Sequence, residues 1–155
     1  MRGNRAKIVT LTSILSRQGR GGQRGSPLEH PLGRTSRLGS LSVEIEIGGQ
    51  ERESWATVGA LVDTEASITS APASVLRELG VEPAAKQLFQ FAQGETRLMD
   101  IGYARVRFEG REIITQVLFN DEGTQPLLGA LALEGAYMGI DPIGKRLVPV
   151  PGLMM

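Results

Sequence analysis

The alternation of apolar and polar residues from Leu41 to Ile47 is the feature that most constrains the fold. In LSVEIEI four aliphatic side chains recur at every second position, separated by one serine and two glutamates. A spacing of two puts all four aliphatic side chains on the same face of an extended strand. Gly48-Gly49 follows directly and predicts a turn. The segment therefore predicts a β-strand with one buried face, followed by a change of direction.

The chain returns from that turn with a second strand and then a short helix. Trp55–Val62 predicts a strand that becomes wholly apolar towards its end, as expected for burial on both faces. Ser67–Ser70 predicts a further short strand. Pro72 is suited to the first turn of a helix, and Gly80 is suited to end it.

The second half of the chain predicts hairpins and a compact end. Gln93-Gly94 separates two strand-like runs, 86–92 and 95–100, so Gly94 is placed at a hairpin tip. Glu109-Gly110 separates a second pair, Gly102–Phe108 and Arg111–Phe119, in the same way. The remaining predicted elements are a short helix near Ala130–Gly135 and strands at Met138–Asp141 and Arg146–Val150. Together the segments predict a mostly β domain of about 115 residues, a closed barrel or sandwich with one or two short helices.

Composition excludes several kinds of chemistry. The chain has 155 residues, 41% of them apolar, which suits one domain with a real core and no membrane span. It has no cysteine and one histidine, His30, which lies among glycine, proline and arginine. Thiolate chemistry, a Ser-His-Asp triad and a histidine-rich zinc site are therefore all disfavoured, and no metal or cofactor is expected. Carboxylates remain for acid–base work, and the absence of cysteine fits a cytoplasmic location.

Charge divides the chain into two parts. Residues 1–40 carry eight Arg or Lys and one acid, a net charge of +7, whereas the other nine bases and sixteen acids give −7. Arg17–Ser40 is rich in Gly, Arg, Ser and Pro and lacks apolar periodicity, so residues 1–40 are predicted to be a disordered basic tail before a domain at 41–151. A nucleic-acid-contacting arm and a transit peptide are alternative interpretations of this segment. Nucleic acid is not the favoured partner, because no aromatic residues interleave with the arginines.

The acid at Asp63 is the candidate catalytic group. It follows the apolar run Ala60-Leu61-Val62 and begins the sequence DTEAS. A carboxylate at the end of a buried strand costs free energy unless something uses it. An aspartate that accepts hydrogen bonds from its own turn is the structural alternative.

The order of these segments resembles the retropepsin-like aspartic proteases of clan AA, in particular the small single-domain type found in bacteria. The likeness covers residues 41–151 and rests on four segments: EIEIGGQ (Glu44–Gln50), ALVDTEAS (Ala60–Ser67), FQFAQGETRLM (Phe89–Met99) and PLLGALAL (Pro126–Leu133).

The resemblance implies a homodimeric endopeptidase that cleaves a peptide or protein substrate. Each subunit would supply one Asp63, and the two carboxylates would share a proton and activate a water. The active-site turn would comprise Asp63 and the four residues after it, with Thr64 hydrogen-bonded to the partner subunit's backbone. The remaining implied roles are a flap at Gln93 and Gly94, and support beneath the turn from Leu127, Leu128 and Gly129.

Glu65 departs from the pattern of that family, which has glycine after Asp-Thr. An inward-facing Glu65 would disturb the pair of aspartates by repulsion, whereas an outward-facing Glu65 would leave them intact and favour substrates with basic side chains. Two functions therefore stay open for the domain. One is an active aspartic peptidase, and the other is a catalytically silent dimer that binds extended peptides by strand addition.

Overall fold

The structure, a computed structural model, describes residues 7–8 and 40–154. The predicted tail at 1–40 lies outside the described residues, apart from Ser40 and the short strand Lys7–Ile8. Described strands, in chain order, are β1 (Lys7–Ile8), β2 (Leu41–Gly48), β3 (Trp55–Val62), β4 (Thr69–Pro72), β5 (Ala85–Gln90), β6 (Thr96–Phe108), β7 (Arg111–Asn120), β8 (Leu127–Leu128), β9 (Met138–Asp141) and β10 (Arg146–Pro149). Two short helices accompany them, α1 (Ala73–Glu78) and α2 (Ala130–Gly135).

Eight of the described strands form one sheet that closes on itself. Their order is β1-β2-β3-β8-β4-β7-β6-β5, and β2 pairs with β6 as well as with β3. The second half of β2 makes this closing contact, with Glu46 opposite Arg107 and an ion pair of 3.1 Å between their side chains. β9 and β10 form a separate two-stranded sheet. The predicted mostly β fold class, with two short helices, is confirmed.

The main core lies inside this closed sheet. The four aliphatic residues of β2 are at most 3% exposed, whereas the polar residues between them are partly exposed, as the alternation predicts. At the end of β3, Ala60 and Val62 are fully buried, but Leu61 on the other face is only half-buried. The acid that follows β3 therefore stands at the edge of the core.

A second, smaller core lies beneath the hairpin of β5 and β6. Its buried members are Ile68, Met99, Ile101 and Leu118, and two phenylalanines of the hairpin pack against them. Ile68 belongs to the segment that follows Asp63. This cluster therefore joins the base of the hairpin to the acidic turn.

Two predicted boundaries were wrong. The strand predicted at Ser67–Ser70 lies at Thr69–Pro72, because the preceding residues are taken up by the turn and its contacts with α2. Gly102 was expected to begin a new strand, but β6 runs through it for 13 residues. A Cβ at Gly102 would lie 2.7 Å from the Glu82 carbonyl oxygen, so this glycine allows close backbone approach and does not break the strand.

Among the described residues, no helix has the length and apolar character needed to cross a membrane.

Candidate active site

Asp63 begins a tight turn at the end of β3. Its amide donates a hydrogen bond to the Leu128 carbonyl oxygen at 3.0 Å, which extends the pairing of β3 with β8 by one residue. The Ala66 amide donates to the Asp63 carbonyl oxygen at 3.1 Å and closes the turn. The Glu65 amide donates to Oδ1 of Asp63 at 2.9 Å, which fixes the orientation of the carboxylate. Asp63 is partly buried, so its carboxylate is held in place at the rim of the core.

The start of α2 supports this turn from beneath. The amide of Ala130 donates to the Ala66 carbonyl oxygen at 2.8 Å, and the amide of Leu131 donates to the Ser67 carbonyl oxygen at 3.1 Å. A helix leaves its first amides without partners inside the helix, and here the turn supplies acceptors for two of them. The turn and the helix therefore hold each other in place.

Gly129 lies where the turn and the helix approach most closely. A Cβ at this position would lie 2.6 Å from the carbonyl carbon and oxygen of Ile68, closer than real Cβ contacts. Leu128, just before it, is fully buried in the main core, whereas Leu127 is half-buried. The structure thus brings Leu128 and Gly129 into direct contact with the segment 63–69, and Leu127 into register with Leu61.

Thr69 is a site residue that the sequence interpretation missed. Its side chain is fully buried, and its Oγ1 accepts a hydrogen bond from the Gly129 amide at 3.1 Å. That bond satisfies a buried backbone donor at the point of closest approach. The only sequence signal was a hydroxyl residue on a short strand, which does not distinguish a buried acceptor from a solvated side chain.

Ser70, the next residue of β4, contrasts with Thr69. It is 2% exposed, and its Oγ has no hydrogen-bond partner among the described residues. Successive residues of a strand face opposite sides, so Ser70 faces away from the side on which Thr69 meets Gly129.

Thr64 and Glu65 are exposed at the outer side of the turn, as is Ser67, while Ala66 is partly buried. The non-glycine residues with positive φ in the described chain are Glu109, Tyr137 and Lys145. Glu65 therefore has an ordinary backbone conformation, and the turn accepts a side chain there without backbone strain. In a single subunit the glutamate thus replaces glycine without distorting the turn.

Gln93 and Gly94 lie at the exposed tip of the hairpin formed by β5 and β6. Gly94 has φ of +96°, and its amide donates to the Phe91 carbonyl oxygen at 2.8 Å. The Phe91 amide donates in turn to the Glu95 carbonyl oxygen at 2.8 Å. The apolar cluster that contains Ile68, with Phe89 and Phe91 of the hairpin packed against it, joins this hairpin to the segment that follows Asp63.

An exposed ion pair ties the hairpin to the β7–β8 loop. Nη2 of Arg97 lies 3.0 Å and 3.2 Å from the two carboxylate oxygens of Asp121. The Arg97 guanidinium also lies over the Phe91 ring, 5.4 Å from its centroid. The strand β6 is thereby linked to the loop that leads into β8.

The same loop also holds the start of α1. The Glu122 carboxylate accepts hydrogen bonds from the Ser74 hydroxyl at 2.7 Å and from the Ser74 amide at 3.0 Å. These two bonds, the hydroxyl first, hold the pKa of Glu122 below its usual value. Asp121 thus connects the β7–β8 loop to β6, and Glu122 connects the same loop to α1.

Within the described part of the chain, no group of three or more His, Cys, Asp or Glu side chains is placed to hold a metal ion.

Comparison with known proteins gives structural neighbours only. No protein-family model matches the chain, and no curated protein matches it significantly. The solution structure of simian foamy virus (mac) protease is 24% identical with a TM-score of 0.44, and the match covers 59% of this chain and 90% of that one. The crystal structure of prototype foamy virus protease–reverse transcriptase is 16% identical with a TM-score of 0.41, covering 70% of this chain and 12% of that one.

By name, the first of these neighbours is a foamy virus protease and the second contains one. The bacterial type implied by the sequence resemblance stays a prediction.

Proposed function

We propose that this protein is a homodimeric aspartic endopeptidase in which two Asp63 carboxylates, one from each subunit, activate a water. The observation that carries the proposal is the position of Asp63. Its carboxylate is partly buried at the end of an apolar strand and oriented by the Glu65 amide, in a turn fixed by Leu128 and α2. Such fixed positioning is what catalysis by a carboxylate pair requires.

The chemistry follows from like charges placed close together. Two facing carboxylates do not both ionise, so the pair holds one proton. The ionised carboxylate takes a proton from water as the water oxygen attacks the peptide carbonyl carbon. The protonated carboxylate donates a hydrogen bond to the carbonyl oxygen. As the bond between carbon and nitrogen breaks, the nitrogen receives the proton that the other carboxylate took from the water, so the pair again holds one proton. The rate should depend on pH through the pair as a unit.

Dimerisation is part of this proposal because one chain supplies one such aspartate. A two-fold axis through the site would bring the two turns together in an isologous contact. Thr64 is exposed on the outer side of the turn, where its hydroxyl is available to a second subunit. The hairpin tip at Gln93 and Gly94 would close over an extended peptide bound between the subunits.

The variant Asp63→Asn tests the proposal most directly, since it keeps the size of the side chain and an oxygen that accepts from the Glu65 amide. We expect cleavage of a denatured protein substrate to be lost while the dimer remains, measured by peptide mass spectrometry and sedimentation. Asp141→Asn, at the end of β9, is the matched control and should cleave normally. Cleavage that persists in Asp63→Asn, or a chain that is monomeric at all concentrations, would refute the proposal.

The edge of the sheet offers a second candidate function. β5 is the last strand in the sheet order, so its outer edge can pair with an extended peptide. A dimer that binds peptides in this way without cleaving them would show saturable binding and no product in the same assay. The nucleic-acid interpretation of residues 1–40 and the cytoplasmic location stay predictions.

A further inference from the structure

We infer that the Ser70 hydroxyl selects peptides with a neutral hydrogen-bonding side chain, such as threonine or asparagine, near the bond at Asp63. The inference rests on the peptide-binding site proposed above. Ser70 is 2% exposed, and its Oγ has no hydrogen-bond partner among the described residues. Native structures rarely bury a hydroxyl without a partner, because the group gives up its hydrogen bonds to water. A ligand that supplies the missing partner would recover that free energy.

Strand pairing places Ser70 on the face of the sheet opposite the main core. It stands in register with Leu118 of β7 on one side and with Leu127 of β8 on the other. Leu118 belongs to the second, smaller core. Leu127 precedes Leu128, which is buried in the main core, so Leu127 faces the other side. The hydroxyl therefore lies in an apolar row that crosses β8, β4 and β7.

The same face of the sheet carries Asp63. Val62 is buried in the main core, and the Asp63 amide continues the pairing of β3 with β8. Because successive residues of a strand face opposite sides, the Asp63 side chain leaves β3 on the side of Ser70. One strand, β8, separates β3 from β4 in the sheet order, which puts the two strands about 10 Å apart. An extended peptide covers that distance in about three residues.

The hairpin of β5 and β6 covers this row. Met99 and Ile101 of β6 lie in the same cluster as Leu118, and Phe89 and Phe91 pack against it. The proposed movement of the hairpin as a flap would uncover the cluster. A peptide side chain entering there would meet aliphatic walls and one hydroxyl.

These surroundings determine which side chain is selected. A charged group would lose its hydration among aliphatic side chains, which is costly. A wholly apolar side chain fits the walls but leaves the Ser70 hydroxyl without a partner. A hydroxyl or amide group satisfies Ser70, because its Oγ both donates and accepts hydrogen bonds. The site should therefore prefer threonine to valine and asparagine to leucine, two pairs of similar size.

The experiment uses the full-length protein and libraries of extended peptides. Each library fixes one position as threonine, valine, asparagine or leucine and varies the others, and mass spectrometry locates the cuts. We expect threonine to exceed valine about tenfold in cleavage rate at a position within three residues of the cut, as one hydrogen bond permits. Ser70→Ala should bring this ratio to one or below. Ser70→Cys should also lower it, because a thiol is a weak donor and a weak acceptor.

Ser54→Ala is the matched control, since it removes an exposed hydroxyl between β2 and β3 and should leave the ratio unchanged. Thermal melts establish that each variant is folded, and Ser70→Cys decides the question if the alanine variant is not. A ratio that stays at its wild-type value in the folded Ser70 variants, or one that Ser54→Ala lowers equally, would overturn the inference.

A binding measurement separates this inference from the proposed activity. The same libraries are passed over immobilised Asp63→Asn protein, with and without Ser70→Ala, and the retained peptides are sequenced. If wild type cleaves nothing but retention prefers threonine only when Ser70 is present, the inference holds and the peptidase proposal fails. If peptides are cleaved without a preference that depends on Ser70, the reverse is true. Absence of both cleavage and retention refutes both.

Discussion

The turn at Asp63 and the hairpin at Gly94 are held to the barrel in different ways. The turn rests on β8 and α2 through backbone hydrogen bonds and the buried hydroxyl of Thr69. The hairpin is held by its own strand pairing, by a small apolar cluster at its base and by the exposed ion pair of Arg97 with Asp121. Buried contacts resist local opening and exposed ones do not, so the turn should be the rigid half of the site and the hairpin the mobile half.

Gly129→Ala should cause the largest loss of stability, because it forces a Cβ against the Ile68 backbone beneath the turn. We expect a loss of about 3 kcal/mol in unfolding free energy, as for other overpacked positions, measured by urea denaturation. Gly59→Ala is the control, since a Cβ there meets nothing within 4 Å. Equal stability of the two variants would show that the turn is not tightly supported.

Thr69→Val should cause the second-largest loss of stability. It leaves the buried Gly129 amide without an acceptor while keeping the shape of the side chain. The expected loss is about 1–3 kcal/mol in the same measurement. Thr69→Ser keeps the hydroxyl and should lose less. Ser70→Ala removes a buried hydroxyl that has no partner among the described residues, so it should be neutral or stabilising. An equal loss of unfolding free energy in Ser70→Ala and Thr69→Val would contradict the role of the Thr69 hydroxyl as the acceptor for the Gly129 amide.

Asp121→Ala should loosen the hairpin and leave the turn intact. Exposed ion pairs contribute about 0–1 kcal/mol, so global stability should change little. Hydrogen exchange should accelerate at the Phe91 and Gly94 amides but not at the Asp63 and Ala66 amides. A double-mutant cycle with Arg97→Ala would assign the effect to this pair. Equal acceleration in both regions would contradict the division into a rigid and a mobile half.

Glu122→Gln should have the smallest effect, and that effect should depend on pH. Because the pKa of Glu122 is lowered in the folded state by Ser74, its stabilisation is complete above the unfolded value of about 4.3. It is lost as the pH falls through the lower folded value. Thermal melts should therefore show wild type more stable than Glu122→Gln at pH 7, with the difference vanishing in acid. A difference that is constant with pH would argue against the two bonds to Ser74.

Much of the fold followed from local patterns in the sequence. The alternation in β2, the turn signals at Gly94 and Glu109-Gly110, and Pro72 before α1 each predicted an element that the structure contains. These features depend on neighbouring residues alone, because strand periodicity and turn conformation are local properties. The position of Asp63 after an apolar strand was visible for the same reason.

The contacts that build the site were not visible in this way. Gly102 was interpreted as a strand boundary although it allows Glu82 to approach β6, and Thr69 was passed over although it binds Gly129 across 60 residues of sequence. The sequence by itself determined the strands, the turns and the candidate acid. Only the tertiary structure decided that Gly129 has no room for a side chain and that the Thr69 hydroxyl accepts a hydrogen bond. Both depend on which distant backbone atoms the closed sheet brings close to these residues.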